Sequence, residues 1–87
     1  MKIANLIKSM KQSGIKVERI ETKCAWGTQV QYVAETKSSV GEWYDQGSGE
    51  VMSVYVRPAH LQDDSQSDCF YGSFAHSIKQ AVSWMLH

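Results

Sequence analysis

The 87-residue sequence is short of several residue types that would mark a specialised class. No apolar run approaches the ~18 residues of a membrane span, so a spanning segment is excluded. The cluster Ile3–Ile7 follows Lys2 but leads into Lys8 and Lys11, not the apolar core of a secretory leader. The expected location is therefore cytoplasmic. Of the two cysteines, Cys24 and Cys69, neither belongs to a Cys-x-x-Cys pair. In a reducing compartment both are expected as free thiols. His60, His76 and His87 include no pair spaced i, i+4, so no zinc signature is present. The chain also lacks a charge surplus, with nine basic residues against nine acidic. That balance argues against strong non-specific binding to nucleic acid or to an anionic membrane.

The charge is unevenly spread. Residues 1–37 carry six lysines and Arg19 against three glutamates, a net +4, whereas residues 38–72 carry Arg57 against six acids, a net −5. Blocks of this size commonly form two solvated faces, and otherwise polarise a surface that orients a partner. The apolar fraction of 43% is ordinary for a folded domain and too high for disorder. Three tryptophans and four tyrosines can fill a small core without metal or disulfide. The length allows one domain, residues 1–87, and no second core.

Periodicity lays out the elements. Ile3, Leu6, Ile7 and Met10 form one helical stripe, and Gly14 suits the left-handed residue that stops a helix, which predicts a helix over residues 2–13. From Ile15 the period is two. Ile15 and Val17 share a face but Ile20 lies on the other, so a bulge is expected near Arg19. Cys24-Ala25-Trp26-Gly27 reads as a turn, and Thr28–Thr36 as a half-buried strand with Val30, Tyr32 and Ala34 on one side. After Lys37-Ser38-Ser39 comes a strand over Val40–Asp45, with Trp43 and Tyr44 on opposite faces. Gln46-Gly47-Ser48-Gly49 is a turn. Glu50–Arg57 reads as a strand with Met52, Val54 and Val56 inward, ended by Pro58, which cannot donate to a ladder. Phe74, Ile78, Ala81, Val82 and Met85 recur at helical spacing. Ser73 is the candidate N-cap, or Asp68 if the helix begins a turn earlier, although Gly72 opposes the earlier start. The sum is an α+β fold: an N-terminal helix, a three- or four-stranded antiparallel meander, and a C-terminal helix, with both helices on one sheet face.

Candidate chemistry is sparse. His60, Asp63, Asp64 and Asp68 gather oxygen and nitrogen ligands in one loop, but without the alternating ligands and closing glutamate of a calcium loop. A solvated loop capping the next helix explains the same residues, and no metal site is expected. Cys69 with His60 or His76 has the makings of a nucleophile and base, yet Phe70 and Tyr71 beside it mark a packing position. Neither a catalytic residue nor a cofactor is expected, and the chain is read as non-enzymatic.

The informative feature is the side of the sheet away from the helices. Alternation assigns to it Tyr55, Arg57, Gln31 and Val33, together with one of Trp43 and Tyr44. Aromatic residues and arginine are the composition of binding surfaces, though cross-strand aromatic pairs also stabilise sheets that bind nothing. The leading expectation is an interaction module that takes a partner protein or forms a homodimer through this face. The alternative is a nucleic-acid binder whose aromatics stack on bases while the basic N-terminal half meets phosphates. In addition, the passage from Val54–Arg57 through Asp63–Asp68 to Phe74-x-x-x-Ile78-Lys79-Gln80-Ala81 resembles small accessory domains carried by phages and plasmids. The likeness covers about a third of the chain and implies no functional residue.

Overall fold

The computed structural model describes residues 1–59 and 72–87. In chain order the elements are α1 (Ile3–Gln12), β1 (Lys16–Cys24), β2 (Gly27–Glu35), β3 (Ser39–Asp45), β4 (Val54–Pro58), β5 (Ser73–Ala75) and α2 (Ile78–Met85). The strands form one antiparallel meander in the order β1-β2-β3-β4-β5. The expected helix–meander–helix plan holds, with five strands among the described residues instead of three or four. The acidic loop with His60, Asp63, Asp64 and Asp68, and Cys69 with its aromatic neighbours, lie outside the described residues.

α1 forms where its stripe can be buried: Ile3, Leu6 and Met10 are in the core. It stops in a Schellman motif, in which Gly14 takes φ 79°, its N–H donates to the Lys11 carbonyl, and the Ile15 N–H donates to the Met10 carbonyl at 3.0 Å. The carbonyls left over at the helix end are thereby used, and Ile15 follows Met10 into the core. Both helices lie against one face of the sheet and against each other. That face is built by alternation from Ala34 on β2, Gly41 and Trp43 on β3, Val54 and Val56 on β4 and Ala75 on β5, all buried. Leu6, Met10, Val54 and Met85 are among the side chains wholly removed from solvent. Each contributes about 1.5–3 kcal/mol relative to an exposed position.

Three local expectations are corrected. β1 has no bulge: its register with β2 runs unbroken from Lys16 opposite Glu35 to Cys24 opposite Gly27. Ile20 simply faces the side away from the helices, which is itself partly apolar. Residues 50–53 do not begin β4. Gly49–Val51 instead pair with the start of the chain. The Ile3 N–H donates to the Gly49 carbonyl, the Val51 N–H to the Met1 carbonyl, and the Met1 ammonium to the Val51 carbonyl at 2.8 Å. Met52, expected inward, is left 89% exposed. Finally, Phe74 is not helical. Ser73–Ala75 pair with β4, Tyr55 opposite Phe74, and α2 starts only after Ser77. Ser77, not Ser73, is the N-cap: its hydroxyl accepts from the Gln80 N–H at 3.1 Å, while the Gln80 side-chain oxygen accepts from the His76 N–H at 2.8 Å. This is a variant of the capping box, shifted by one residue at its second bond.

Candidate interaction surface

The sheet face turned away from the helices carries a row of side chains from every strand. Register places Glu18, Val33, Glu42, Tyr55 and Phe74 side by side across β1 to β5. A second row runs from Ile20 through Gln31 to Tyr44, and a third from Lys16 through Glu35 and Val40 to Arg57. Of the residues that sequence placed here, Tyr44 is exposed, and Gln31, Val33 and Tyr55 are half-buried.

Trp43 does not belong to the face. It is 2% exposed, in the core, with its ring stacked on that of Tyr32 at 5.8 Å between centroids and 13° between planes. Of the adjacent aromatic pair, Tyr44 is therefore the outward one. Arg57 is on the face but is not a free anchor. Its side chain is 16% exposed and pairs with Glu42 of the neighbouring strand at 3.6 Å. Tyr55 packs its ring on Phe74, with centroids 5.2 Å apart and planes tilted by 50°, and leans over Gly72. Its hydroxyl is buried and has no hydrogen-bond partner among the described residues.

Phe74, which helical spacing groups with Ile78, Ala81, Val82 and Met85, is instead 54% exposed on β5. Tyr44 is 45% and Ile20 40% exposed on the same face. The face thus loses a tryptophan and an anchor arginine relative to the sequence reading, and gains a phenylalanine and an isoleucine. The signal for Phe74 was available in Ser77-x-x-Gln80, whose capping pattern starts the helix after it.

Between Tyr44 and Phe74 the face deepens into a cleft of about 710 Å³. The cleft exists because Gly49–Val51 are held by the N-terminus, so the chain leaves β3 at Asp45 and rejoins the sheet only at Val54. Glu42, Tyr44, Tyr55, Phe74 and the exposed Met52 line it, and Trp43 borders it. The Trp43 ring N–H is buried without a hydrogen-bond partner among the described residues.

The charge on this face is mixed. Lys16 and Arg57 stand against Glu18, Glu35 and Glu42. Much of the basic excess of the N-terminal half lies elsewhere: Lys8 and Lys11 are exposed on α1, and Arg19 and Lys23 alternate to the helix side of β1. Arg19 pairs there with Glu21, which, ahead of the Tyr32 hydroxyl, raises its pKa above the ordinary arginine value. Among the described residues no three His, Cys, Asp or Glu side chains converge as metal ligands, no helix is long and apolar enough to cross a membrane, and Cys24 is a free thiol. Comparison with protein-family models, curated proteins and solved structures finds no match to this chain.

Proposed function

We propose that this chain is a non-enzymatic interaction module that takes a protein partner on its open sheet face, with Tyr44 and Phe74 as the rims of the binding cleft. The observation that carries this reading is the pairing of two exposed aromatic rings with a recess between them on the face turned away from α1 and α2. Aromatic side chains offer large contact area for few frozen torsions, which is why they dominate the energetics of protein interfaces. A cleft bordered by Met52 and Tyr55 accepts an apolar side chain of the partner. A cytoplasmic setting, and the accessory role that the phage and plasmid resemblance implies, belong to the same proposal.

A nucleic-acid platform is the second reading. It needs stacking rings and cations on one surface. Here the exposed rings share a face with three carboxylates, Glu18, Glu35 and Glu42, while Lys8, Lys11 and Lys23 point to the other side. The arrangement favours protein. The test is capture of partners from the native host by the parent chain and by Tyr44→Ser/Phe74→Ser, followed by calorimetric titration of the purified partner. The double variant is expected to bind at least about ten-fold more weakly. A partner bound equally by both sinks the reading, and affinity falling steeply with salt for an RNA or DNA ligand would establish the alternative.

A further inference from the structure

β1 is the outermost strand and, among the described residues, pairs only with β2. The phase of the ladders shows which of its backbone groups are left over. The Thr36 N–H donates to the Ser39 carbonyl at 2.9 Å, so these opposed residues form a hydrogen-bonded pair. Bonded and non-bonded pairs alternate along an antiparallel ladder. Ala34, Tyr32 and Val30 therefore direct their backbone groups to β3, and Gln29, Gln31, Val33 and Glu35 direct theirs to β1. Those four meet Thr22, Ile20, Glu18 and Lys16. Val17, Arg19, Glu21 and Lys23 remain, with N–H and C=O pointing outward from a nine-residue edge. Among the described residues the opposite edge, β5, is three residues long.

Charged side chains usually guard such an edge against pairing. On β1 they are also self-complementary. In an antiparallel pairing of two identical edges, outward-pointing residues must oppose each other, so the two-fold axis falls on a residue. Full overlap of Lys16–Cys24 puts that residue at Ile20. Arg19 then faces Glu21 of a second copy, and Glu21 faces its Arg19, both as hydrogen-bonded pairs. Val17 faces Lys23, Glu18 faces Thr22, and Lys16 faces Cys24, so no like charges meet. Ile20, exposed in the single chain, meets its own counterpart at a non-bonded site, where opposed side chains approach most closely. Centring instead on Arg19 or on Glu21 sets that charge against itself, which destabilises the pairing.

We propose that two copies of this chain join edge to edge through β1, antiparallel about Ile20, into one continuous sheet of twice five strands. The partner is thus a second copy, selected by charge register, and the interface is separate from the open-face cleft. Extension across the edge would also set the rows Ile20–Gln31–Tyr44 of the two copies end to end.

Sedimentation velocity of the parent, Arg19→Glu, Glu21→Arg, Arg19→Glu/Glu21→Arg and Ile20→Lys tests this. The parent is expected to sediment as a dimer of the 9.8 kDa chain. Each single reversal opposes like charges twice per interface and should raise the dimer dissociation constant at least about ten-fold. The double reversal restores complementarity with the signs exchanged and should return it to the parent value. Ile20→Lys, at a solvent-accessible position, should dissociate the dimer without unfolding the chain, and it remains informative if a charge variant folds poorly. A parent that stays monomeric up to about 1 mM, where even weak association is populated, overturns the proposal. So does a dimer that ignores the single reversals, or one that the double reversal fails to rebuild. A dimer abolished by Tyr44→Ser/Phe74→Ser but kept by the edge variants belongs to the open face and refutes edge pairing, whereas loss of the edge dimer alone leaves the open-face reading untouched.

Discussion

The Thr36 hydroxyl sits 3.1 Å from the Met85 carbonyl and 3.0 Å from the Ser39 N–H, donating to the first and accepting from the second. One side chain in the β2–β3 turn thereby shapes the turn and occupies a carbonyl at the end of α2 that the helix cannot use itself. The Ser38 hydroxyl repeats the tie two residues on, donating to the His87 carbonyl at 3.2 Å. Thr36→Val keeps the shape and removes both bonds. It is expected to cost about 1–2 kcal/mol, read as a lowered melting temperature with faster amide exchange in the last turn of α2. An unchanged melt would show that the tether contributes nothing.

At the other end of α2, Ser77→Ala removes the acceptor for the Gln80 N–H. The expected loss is about 1 kcal/mol, with Ser77→Asp retaining most of the parent stability. Urea denaturation of the three proteins decides it. Equal midpoints for all three would mean that packing alone starts the helix.

Gly72 is required by space. A β-carbon there would lie 2.5 Å from the Val56 carbonyl oxygen and 2.8 Å from Cζ of Tyr55. Neither neighbour is a loose side-chain end: one is strand backbone, the other a ring packed on Phe74. Gly72→Ala should therefore cost about 2 kcal/mol or more. Gly47 provides the contrast, with φ 97° and nothing within 4 Å of the added carbon. There the cost is conformational, about 1 kcal/mol. A urea midpoint for Gly72→Ala as high as that for Gly47→Ala would contradict the crowding.

Tyr55 and Phe74 touch, yet their substitutions should separate. Tyr55 is half-buried with a hidden hydroxyl, so Tyr55→Ser should lower stability by about 2 kcal/mol. Phe74 is more than half exposed on β5, so Phe74→Ser should cost the fold under about 1 kcal/mol and act mainly on association. Melting curves beside partner titrations measure both. The reverse ranking would move the hot spot from Phe74 to Tyr55.

Much of this layout was legible in the sequence because burial and periodicity agree. Ile3, Leu6 and Met10 recur at helical spacing and are the residues α1 buries; Val54 and Val56 alternate and are buried. Errors arose where one pattern had two readings. Phe74 stands four residues before Ile78, so it continues the helical stripe by count, while Tyr55 across the ladder holds it in a strand. Met52 continues the alternation of Val54 and Val56, but Gly49–Val51 are captured by Met1–Ile3, a long-range pairing that local period does not encode. For Trp43 and Tyr44, alternation says that they part but not which goes inward. That depends on register against β2, where Trp43 meets Tyr32 and Tyr44 meets Gln31. The cleft was invisible for the same reason, being made by what the N-terminus does to residues 49–51.

The meander has a kinetic consequence. Among the described residues each ladder joins strands adjacent in order, so hairpins can zip one after another, with little loop-closure entropy for β1 through β3. The ties between Met1 and Val51 and between Thr36 and Met85 bridge 50 and 49 positions and must wait for distant parts of the chain. Contacts that form after the rate-limiting step leave refolding speed alone and act on the escape rate. Thr36→Val should accordingly steepen neither chevron arm but lift the unfolding arm, making that hydroxyl a latch on the lifetime of the native state.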